Sequence, residues 1–186
     1  MESYTACILL ADGFEETEAI MTADVLKRIG INIMFVGVEN KTVRGTHDFC
    51  ITTDKLINDI SVDEFNALVL PGGLPGTTNL RNSQSVINLV KKAYENKKIC
   101  AAICAAPIVL RDAGITNNKN ITGYPGCEQL SLSPDFQFSG KDVEIDDLII
   151  TAKGMGKSAQ FAFEIAKALG FKQSEIQKVA DSAFIS

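Results

Sequence analysis

Short apolar runs alternate along this chain with segments of helical periodicity, and this alternation is the strongest constraint on its fold. Ala6–Leu10 and Ala67–Leu70 contain only apolar residues, which is typical of strands buried on both faces of a sheet. Between them, Met21, Val25 and Ile29 repeat at helical spacing and Gly30 supplies a stop. The pattern predicts an α/β fold with a mostly parallel sheet and helices on both faces, in a single domain over 1–186.

The remaining elements follow from the same two periodicities. We expect a helix capped at Ser83, a loose stretch over Pro125–Gly140 and a hairpin over Val143–Thr151. Further strands are predicted over Ile31–Val38, Lys98–Ile103 and Asn120–Tyr124, and an edge strand or hairpin arm over Val43–Asp54. Further helices are predicted over Ala105–Ala113, around Phe161 as far as Gly170, and over Ser174–Phe184.

Composition excludes several classes of function. A net charge of −5 argues against nucleic acid or an anionic membrane as the main partner. No apolar run reaches membrane-spanning length and the first residues lack a signal-peptide pattern, so we expect a cytoplasmic protein. Five cysteines without paired spacing and one histidine predict reduced thiols and no Cys/His metal site.

Three segments follow predicted strands and mark a candidate site. They are Asp12–Glu18, Pro71–Gly76 and Cys104. Ligands of open α/β sheets bind in the crevice at the carboxyl ends of the strands. We therefore expect these segments to converge there.

Cys104 lies at the junction of a predicted strand and a predicted helix, as a nucleophile elbow requires. Free amide groups and the dipole of the following helix favour a thiolate over a thiol. The alternative hypothesis is a buried structural cysteine, since free Cys packs as a small hydrophobe.

The glycine turn after Leu70 is a second candidate. The amides of Gly72 and Gly73 could bind a developing oxyanion beside the sulfur, whereas a tight turn that needs positive φ explains the glycines equally well. The Lys153–Lys157 segment offers a similar pair of alternatives, an anion site or an ordinary glycine-rich connection.

Acidic residues and the single histidine complete the candidates. Glu15, Glu16 and Glu18 open the first helix, where they stabilise its N-terminus, but one of them could act as a general acid or base. His47 could activate a thiol, although its predicted edge-strand position favours a surface or interface role.

Four motifs in order make the chain resemble the ThiJ/PfpI superfamily, and within it the branch of the Parkinsonism-associated deglycase (DJ-one). The resemblance covers nearly the whole chain. Its landmarks are Leu10–Glu18, Val69–Gly73, Ala102–Pro107 and Thr151–Gly156.

This resemblance implies a flavodoxin-like homodimer with Cys104 as the reactive cysteine. Glu18 resembles the protonated carboxylate that hydrogen-bonds the sulfur in this family, and Gly73 and the amide of Ala105 match its oxyanion pocket, next to Gly72. Family members are described as glutathione-independent glyoxalases, as deglycases and as redox sensors whose cysteine oxidises to a sulfinate.

Three positions depart from the patterns of related branches. Ala105 stands where the protease-like branch has histidine, so a peptidase is disfavoured. Tyr124 stands where the deglycase branch often has an imidazole, and His47 where it often has an arginine near the partner subunit. Tyr124 and His47 are therefore predicted contributors to the pocket or to the dimer interface.

These observations predict an enzyme that acts on small 2-oxoaldehydes such as methylglyoxal without metal or nucleotide cofactor. Cys104 would form a hemithioacetal, and Glu18 would move the proton. The alternative is a redox-sensing protein whose Cys104 oxidises with little turnover, and a third hypothesis is a structural dimer with an inert Cys104.

Overall fold

A computed structural model of the chain describes residues 3–126 and 136–185. A central sheet of seven strands has the order β10-β11-β7-β6-β1-β2-β5. Its strands are β1 (Thr5–Leu10), β2 (Asn32–Gly37), β5 (Lys55–Leu56), β6 (Ala67–Leu70), β7 (Ile99–Ile103), β10 (Val143–Asp146) and β11 (Ile149–Ala152).

Every pairing in this sheet is parallel except that of β10 with β11. The chain passes from β1 to β2 on one side and from β6 to β7 on the other. The order therefore reverses between β1 and β6, and such switch points are where ligands bind in open α/β sheets.

Helices cover both faces of the sheet, because alternate strand residues point in opposite directions. Ile8 belongs to the hydrophobic core on one face and Leu9 to the core on the other. The first core includes residues of α1 (Glu16–Ile29), α5 (Ser158–Ala168) and α6 (Gln173–Ser182), and the second includes residues of α2 (Gly76–Asn82), α3 (Gln84–Glu95) and α4 (Pro107–Asp112). The predicted mostly parallel α/β architecture is confirmed.

The structure differs from the sequence prediction in several local details. Helix α2 was not predicted, because its sequence Gly-Thr-Thr-Asn has low helix propensity. Of the two alternatives over Val43–Asp54, the hairpin is found, but its strands β3 (Thr42–Arg44) and β4 (Cys50–Thr52) form a sheet of their own before β5. Ser83 precedes α3 but makes no capping bond through its side chain. The predicted strand over Asn120–Tyr124 ends earlier, as β8 (Lys119–Ile121).

Strand β8 pairs with β9 (Phe136–Phe138), which lies inside the stretch predicted to be loose. The rest of that prediction, over residues 127–135, lies outside the described residues. Within the described ranges, no helix is long and apolar enough to cross a membrane.

Candidate active site

Four loops meet at the carboxyl edge of the sheet, after β1, β6, β7 and β11. The Glu15 amide donates to the Gly72 carbonyl at 2.9 Å, and the Cys104 amide donates to the Ala152 carbonyl at 2.9 Å. Together with the hydrogen bond between the side chains of Glu18 and Cys104, these bonds bring together the three segments that the sequence predicted. They also add a fourth, the loop after β11, which the sequence analysis had not placed at the site.

Cys104 occupies a strained turn directly after β7. Its φ is +63°, a left-handed conformation that non-glycine residues rarely adopt and that the surrounding structure must maintain. Its amide donates to Ala152 and its carbonyl accepts from the amide of Tyr124 at 2.8 Å. The side chain is half-buried, so the strained turn presents the thiol at the edge of the sheet.

The helix behind Cys104 begins later than the sequence predicted. Ala105 and Ala106 form a turn, and α4 begins at Pro107, because proline suits the first helical position, which needs no amide hydrogen. Among residues 3–126 and 136–185, the Ala105 amide donates no hydrogen bond. Helix α4, at six residues, is short and begins three residues after Cys104, so the predicted start of a long helix directly behind the sulfur is not found.

Glu18 is the carboxyl of the site. It lies on the first turn of α1 with 1% of its surface exposed, its Oε2 accepts from the Gly72 amide at 2.8 Å, and its side chain shares a hydrogen bond with that of Cys104. Burial raises the pKa of Glu18 to about 7, against the opposing effect of the bonds from Gly72 and Cys104. A carboxyl with this pKa can hold or release a proton at neutral pH.

The two turn glycines have different roles. A Cβ on Gly72 would lie 2.7 Å from Cys104 Cβ and 2.8 Å from Glu18 Oε2, so only glycine allows these two side chains to approach each other. Because the Gly72 amide donates to Glu18, it is not free for an oxyanion, which corrects that part of the prediction. Gly73 has φ +92° and packs against the Gly13–Glu15 loop. Its amide donates no hydrogen bond within the described residues.

The three glutamates at the start of α1 make different contacts. Glu15 Oε2 accepts from the Glu18 amide at 2.7 Å and caps the helix. Glu16 accepts from the His47 amide at 2.7 Å and lies 2.9 Å from His47 Nδ1. Glu18 alone turns towards Cys104, a choice that the residue pattern left open and that the family resemblance made.

His47 lies in the exposed hairpin turn between β3 and β4 and pairs with Glu16 rather than with Cys104. This bond raises the pKa of His47. Burial raises the pKa of Glu16, but the bonds from His47 outweigh it and lower the pKa overall. In the described part of the chain, Glu15, Glu16 and His47 are the one group whose potential metal ligands lie within 4.8 Å of each other, and their atoms already serve the helix cap and the turn.

Gly154 is the site residue that sequence reasoning missed. A Cβ built on it would lie 3.8 Å from Cys104 Sγ, 3.8 Å from Glu18 Oε1 and 3.7 Å from Tyr124 Cδ2. Gly154 and Tyr124 therefore adjoin Cys104 and Glu18, with the Tyr124 side chain exposed. The available signal was the Thr151–Gly156 landmark of the family resemblance, which overlaps the Lys153–Lys157 segment interpreted as an anion site or a glycine-rich connection.

The fold and site define a class of protein: a flavodoxin-like α/β domain that presents a strained cysteine beside a buried carboxyl. The profile of the DJ-1/PfpI family matches residues 4–168, and the chain belongs to this family. The membership that the four motifs predicted is thus confirmed.

Individual relatives agree with this assignment. The chain is 34% identical to the Drosophila melanogaster protein dj-1beta, over 99% of this chain and 98% of that protein, whose crystal structure superposes over all of both chains with a TM-score of 0.93. It is 28% identical to a protein named deglycase from Pyrococcus abyssi, over 87% of this chain and 97% of the other. A structure of oxidised Toxoplasma gondii DJ-1 has a TM-score of 0.90 at 27% identity, over 99% and 100% of the two chains.

Proposed function

We propose that this protein is a cysteine-dependent enzyme of the glyoxalase or deglycase type, acting on small 2-oxoaldehydes such as methylglyoxal. The observation that carries the proposal is the pairing of Cys104 with a carboxyl whose pKa burial raises to about 7. A general acid or base works best when its pKa lies near the operating pH. Glu18 meets this condition within hydrogen-bonding reach of the nucleophile.

The reaction begins with addition of the Cys104 sulfur to the aldehyde carbon. The carbonyl π bond breaks, its oxygen takes a proton and a hemithioacetal forms. The amides of Gly73 and Ala105 are the donors we assign to the developing oxyanion, because neither donates elsewhere among the described residues.

Glu18 then moves a proton between the two carbons. Its carboxylate removes the hydrogen from the hemithioacetal carbon, giving an enediol, and returns it to the neighbouring carbon to leave a thioester. Water cleaves the thioester to the 2-hydroxy acid and restores the thiol. The net change is addition of one water to the 2-oxoaldehyde, without an external oxidant or reductant.

The test is lactate formation from methylglyoxal without glutathione, comparing wild type, Cys104→Ser and Glu18→Gln. We expect activity in the wild type and a fall of at least about 100-fold in each variant, as loss of a nucleophile or a general base produces. Cys100→Ser is the matched control, because this thiol is buried in β7, four residues before Cys104. Wild-type activity in the Cys104→Ser variant would refute the proposal.

A second candidate function is redox sensing through Cys104. Tyr124 stands where the deglycase branch often has an imidazole, which weakens base catalysis without weakening oxidation. The thiolate would transfer electrons to peroxide, giving sulfenate and water, and a second peroxide would give sulfinate. Selective addition of two oxygens at Cys104 after mild peroxide treatment, in a protein that makes no lactate, would favour this function.

We also propose that the chain forms a homodimer through the face where α1 meets the β3–β4 hairpin. Ile20 and Phe49 are 48% and 67% exposed, and with Met21 they line one shallow apolar groove. The family resemblance implies a homodimer, and these exposed apolar side chains are the surface through which we propose that two copies pair. The expected mass from light scattering is that of two chains for wild type and of one chain for Phe49→Glu. A monomeric wild type would refute the proposal.

A further inference from the structure

The glycines around Cys104 are not all present for the same reason. Gly72 is required by crowding, since its Cβ would clash with Cys104 and Glu18. Gly73 is required by its positive φ. Glycine is required at position 123 by a neighbouring backbone atom, because a Cβ there would lie 2.9 Å from the carbonyl oxygen of Cys104.

Gly154 fits none of these explanations. Its φ of 163° and ψ of −171° are extended values that any residue adopts. A Cβ there would meet its three neighbours at 3.7–3.8 Å, within the ordinary contact range of about 3.5–4.0 Å. Neither the backbone conformation nor crowding requires glycine at position 154. The absence of a side chain there leaves an open space beside Cys104 and Glu18.

Three chemically different groups surround this space. Cys104 Sγ, Glu18 Oε1 and the Tyr124 ring all lie within contact distance of the point that a side chain would occupy. An atom at that point touches the nucleophile, the acid–base group and an aromatic surface at once. The carbon substituent of an aldehyde that is adding to Cys104 needs a place of this kind, next to the sulfur and within reach of the carboxyl.

We propose that Gly154 is a specificity-determining residue, whose missing side chain accommodates the carbon substituent of the 2-oxoaldehyde beside Cys104. The inference rests on the proposed function and extends it to the size of the substrate. The site then admits small carbonyl compounds, and a methyl group at position 154 competes with the substituent. Tyr124 forms the apolar boundary of the same space.

The test is Gly154→Ala, with glyoxal and methylglyoxal as substrates. We expect the ratio of kcat/KM for methylglyoxal to that for glyoxal to fall about tenfold or more, the range that one methyl-sized change in a pocket produces. Gly156→Ala is the matched control, because it lies in the same loop and its Cβ would have nothing within 4 Å. An equal loss for both substrates, or no loss, would overturn the proposal.

Thiol alkylation separates this proposal from the proposed function. We expect Gly154→Ala to slow the reaction of Cys104 with N-ethylmaleimide much more than with the smaller iodoacetamide, measured on the Cys104 peptide by mass spectrometry. A wild type that is alkylated but makes no lactate would refute the glyoxalase function, and the two reagents would still test Gly154. Equal slowing of the two alkylation reactions in Gly154→Ala, or failure of this variant to fold, would show that the space beside Gly154 is not free.

Discussion

Cys100 and Cys104 lie four residues apart along β7 and its turn, yet they differ in burial, in backbone conformation and in the groups around the sulfur. Cys100 is fully buried within the sheet, and burial raises its pKa to about 12. Cys104 is half-buried, has a positive φ and contacts the Glu18 carboxyl. The same residue type is thus enclosed by the core inside the strand and partly exposed beside a carboxyl just after its end.

The difference arises from where the strand stops. Inside the sheet the backbone of Cys100 pairs with Leu68 and Ile149 on either side, and apolar neighbours offer no stabilisation for a thiolate. At the carboxyl edge the chain must turn, and the turn leaves the Ala105 amide without an acceptor among the described residues. The end of β7 at Ile103 therefore places Cys104 in the turn beside Glu18, the position in which we propose that it reacts.

The largest expected effect contrasts the two thiols directly. Cys104→Ala should remove iodoacetamide labelling at this position and lower lactate formation at least about 100-fold, since the nucleophile is lost. Cys100→Ala should leave the labelling of Cys104 and the rate of lactate formation within twofold of wild type. It should lower the free energy of unfolding by about 1 kcal/mol, as a small deletion in the core does. Peptide mass spectrometry and urea denaturation measure the two results. Equal effects of the two variants would show that position in the strand does not control reactivity.

Glu18 predicts a specific dependence of stability on pH. Burial raises its pKa from the ordinary value of 4.5 to about 7, so the folded protein holds a proton that the unfolded chain loses between these values. Its stabilising contribution is complete below pH 4.5 and is lost as the pH rises through 7. Wild type should therefore lose up to about 3 kcal/mol relative to Glu18→Gln over this interval.

Urea denaturation of wild type and Glu18→Gln at several values between pH 4.5 and 8 provides the measurement. Cys100→Ala is a suitable comparison, because its thiol does not ionise in this interval. The difference between wild type and Glu18→Gln should change with pH, whereas that between wild type and Cys100→Ala should stay constant. Parallel curves for wild type and Glu18→Gln would contradict the raised pKa.

Gly72→Ala tests how closely the reactive pair must pack. The added Cβ would lie 2.7 Å from Cys104 Cβ, 2.8 Å from Glu18 Oε2 and 3.0 Å from the Ile103 carbonyl oxygen. Overpacking of this kind costs about 1–3 kcal/mol, and the displaced carboxyl should also lower lactate formation. Gly156→Ala has open space around its Cβ and should change stability by less than about 0.5 kcal/mol. Similar unfolding free energies for the two variants would argue against close packing at Gly72.

Much of this arrangement could be predicted from the sequence, because apolar runs and helical periodicity determine which elements form. The parallel sheet, helix α1 with its stop at Gly30 and the elbow position of Cys104 were all predicted. The beginning of α4 was not, because Ala105 and Ala106 are good helix formers while the turn needed to position Cys104 overrides their propensity.

The individual contacts across the site could not be predicted from local sequence patterns, because they join residues far apart in the chain, and only the family resemblance pointed to Glu18. Nothing local distinguishes Glu18 from Glu15 and Glu16; the distinction comes from the Gly72 amide, 54 residues away. The proximity of Gly154 to the sulfur depends in the same way on the pairing of β11 with β7. Periodicity predicts elements, and only the packed sheet determines which loops face each other.

The smallest expected effect concerns His47, the conventional partner for an activated cysteine. Its ring pairs with Glu16 at 2.9 Å and is exposed, so His47→Ala should leave the rate of Cys104 labelling within twofold. The bond to Glu16 raises the pKa of His47, so its contribution to stability is present below pH 6.5 and fades as the pH rises through the raised value. A stability difference that shrinks with pH, together with unchanged labelling, would place His47 outside the Cys104 chemistry. Slower labelling in His47→Ala than in Cys100→Ala would instead show that the Glu16–His47 pair acts on the thiol through the first turn of α1.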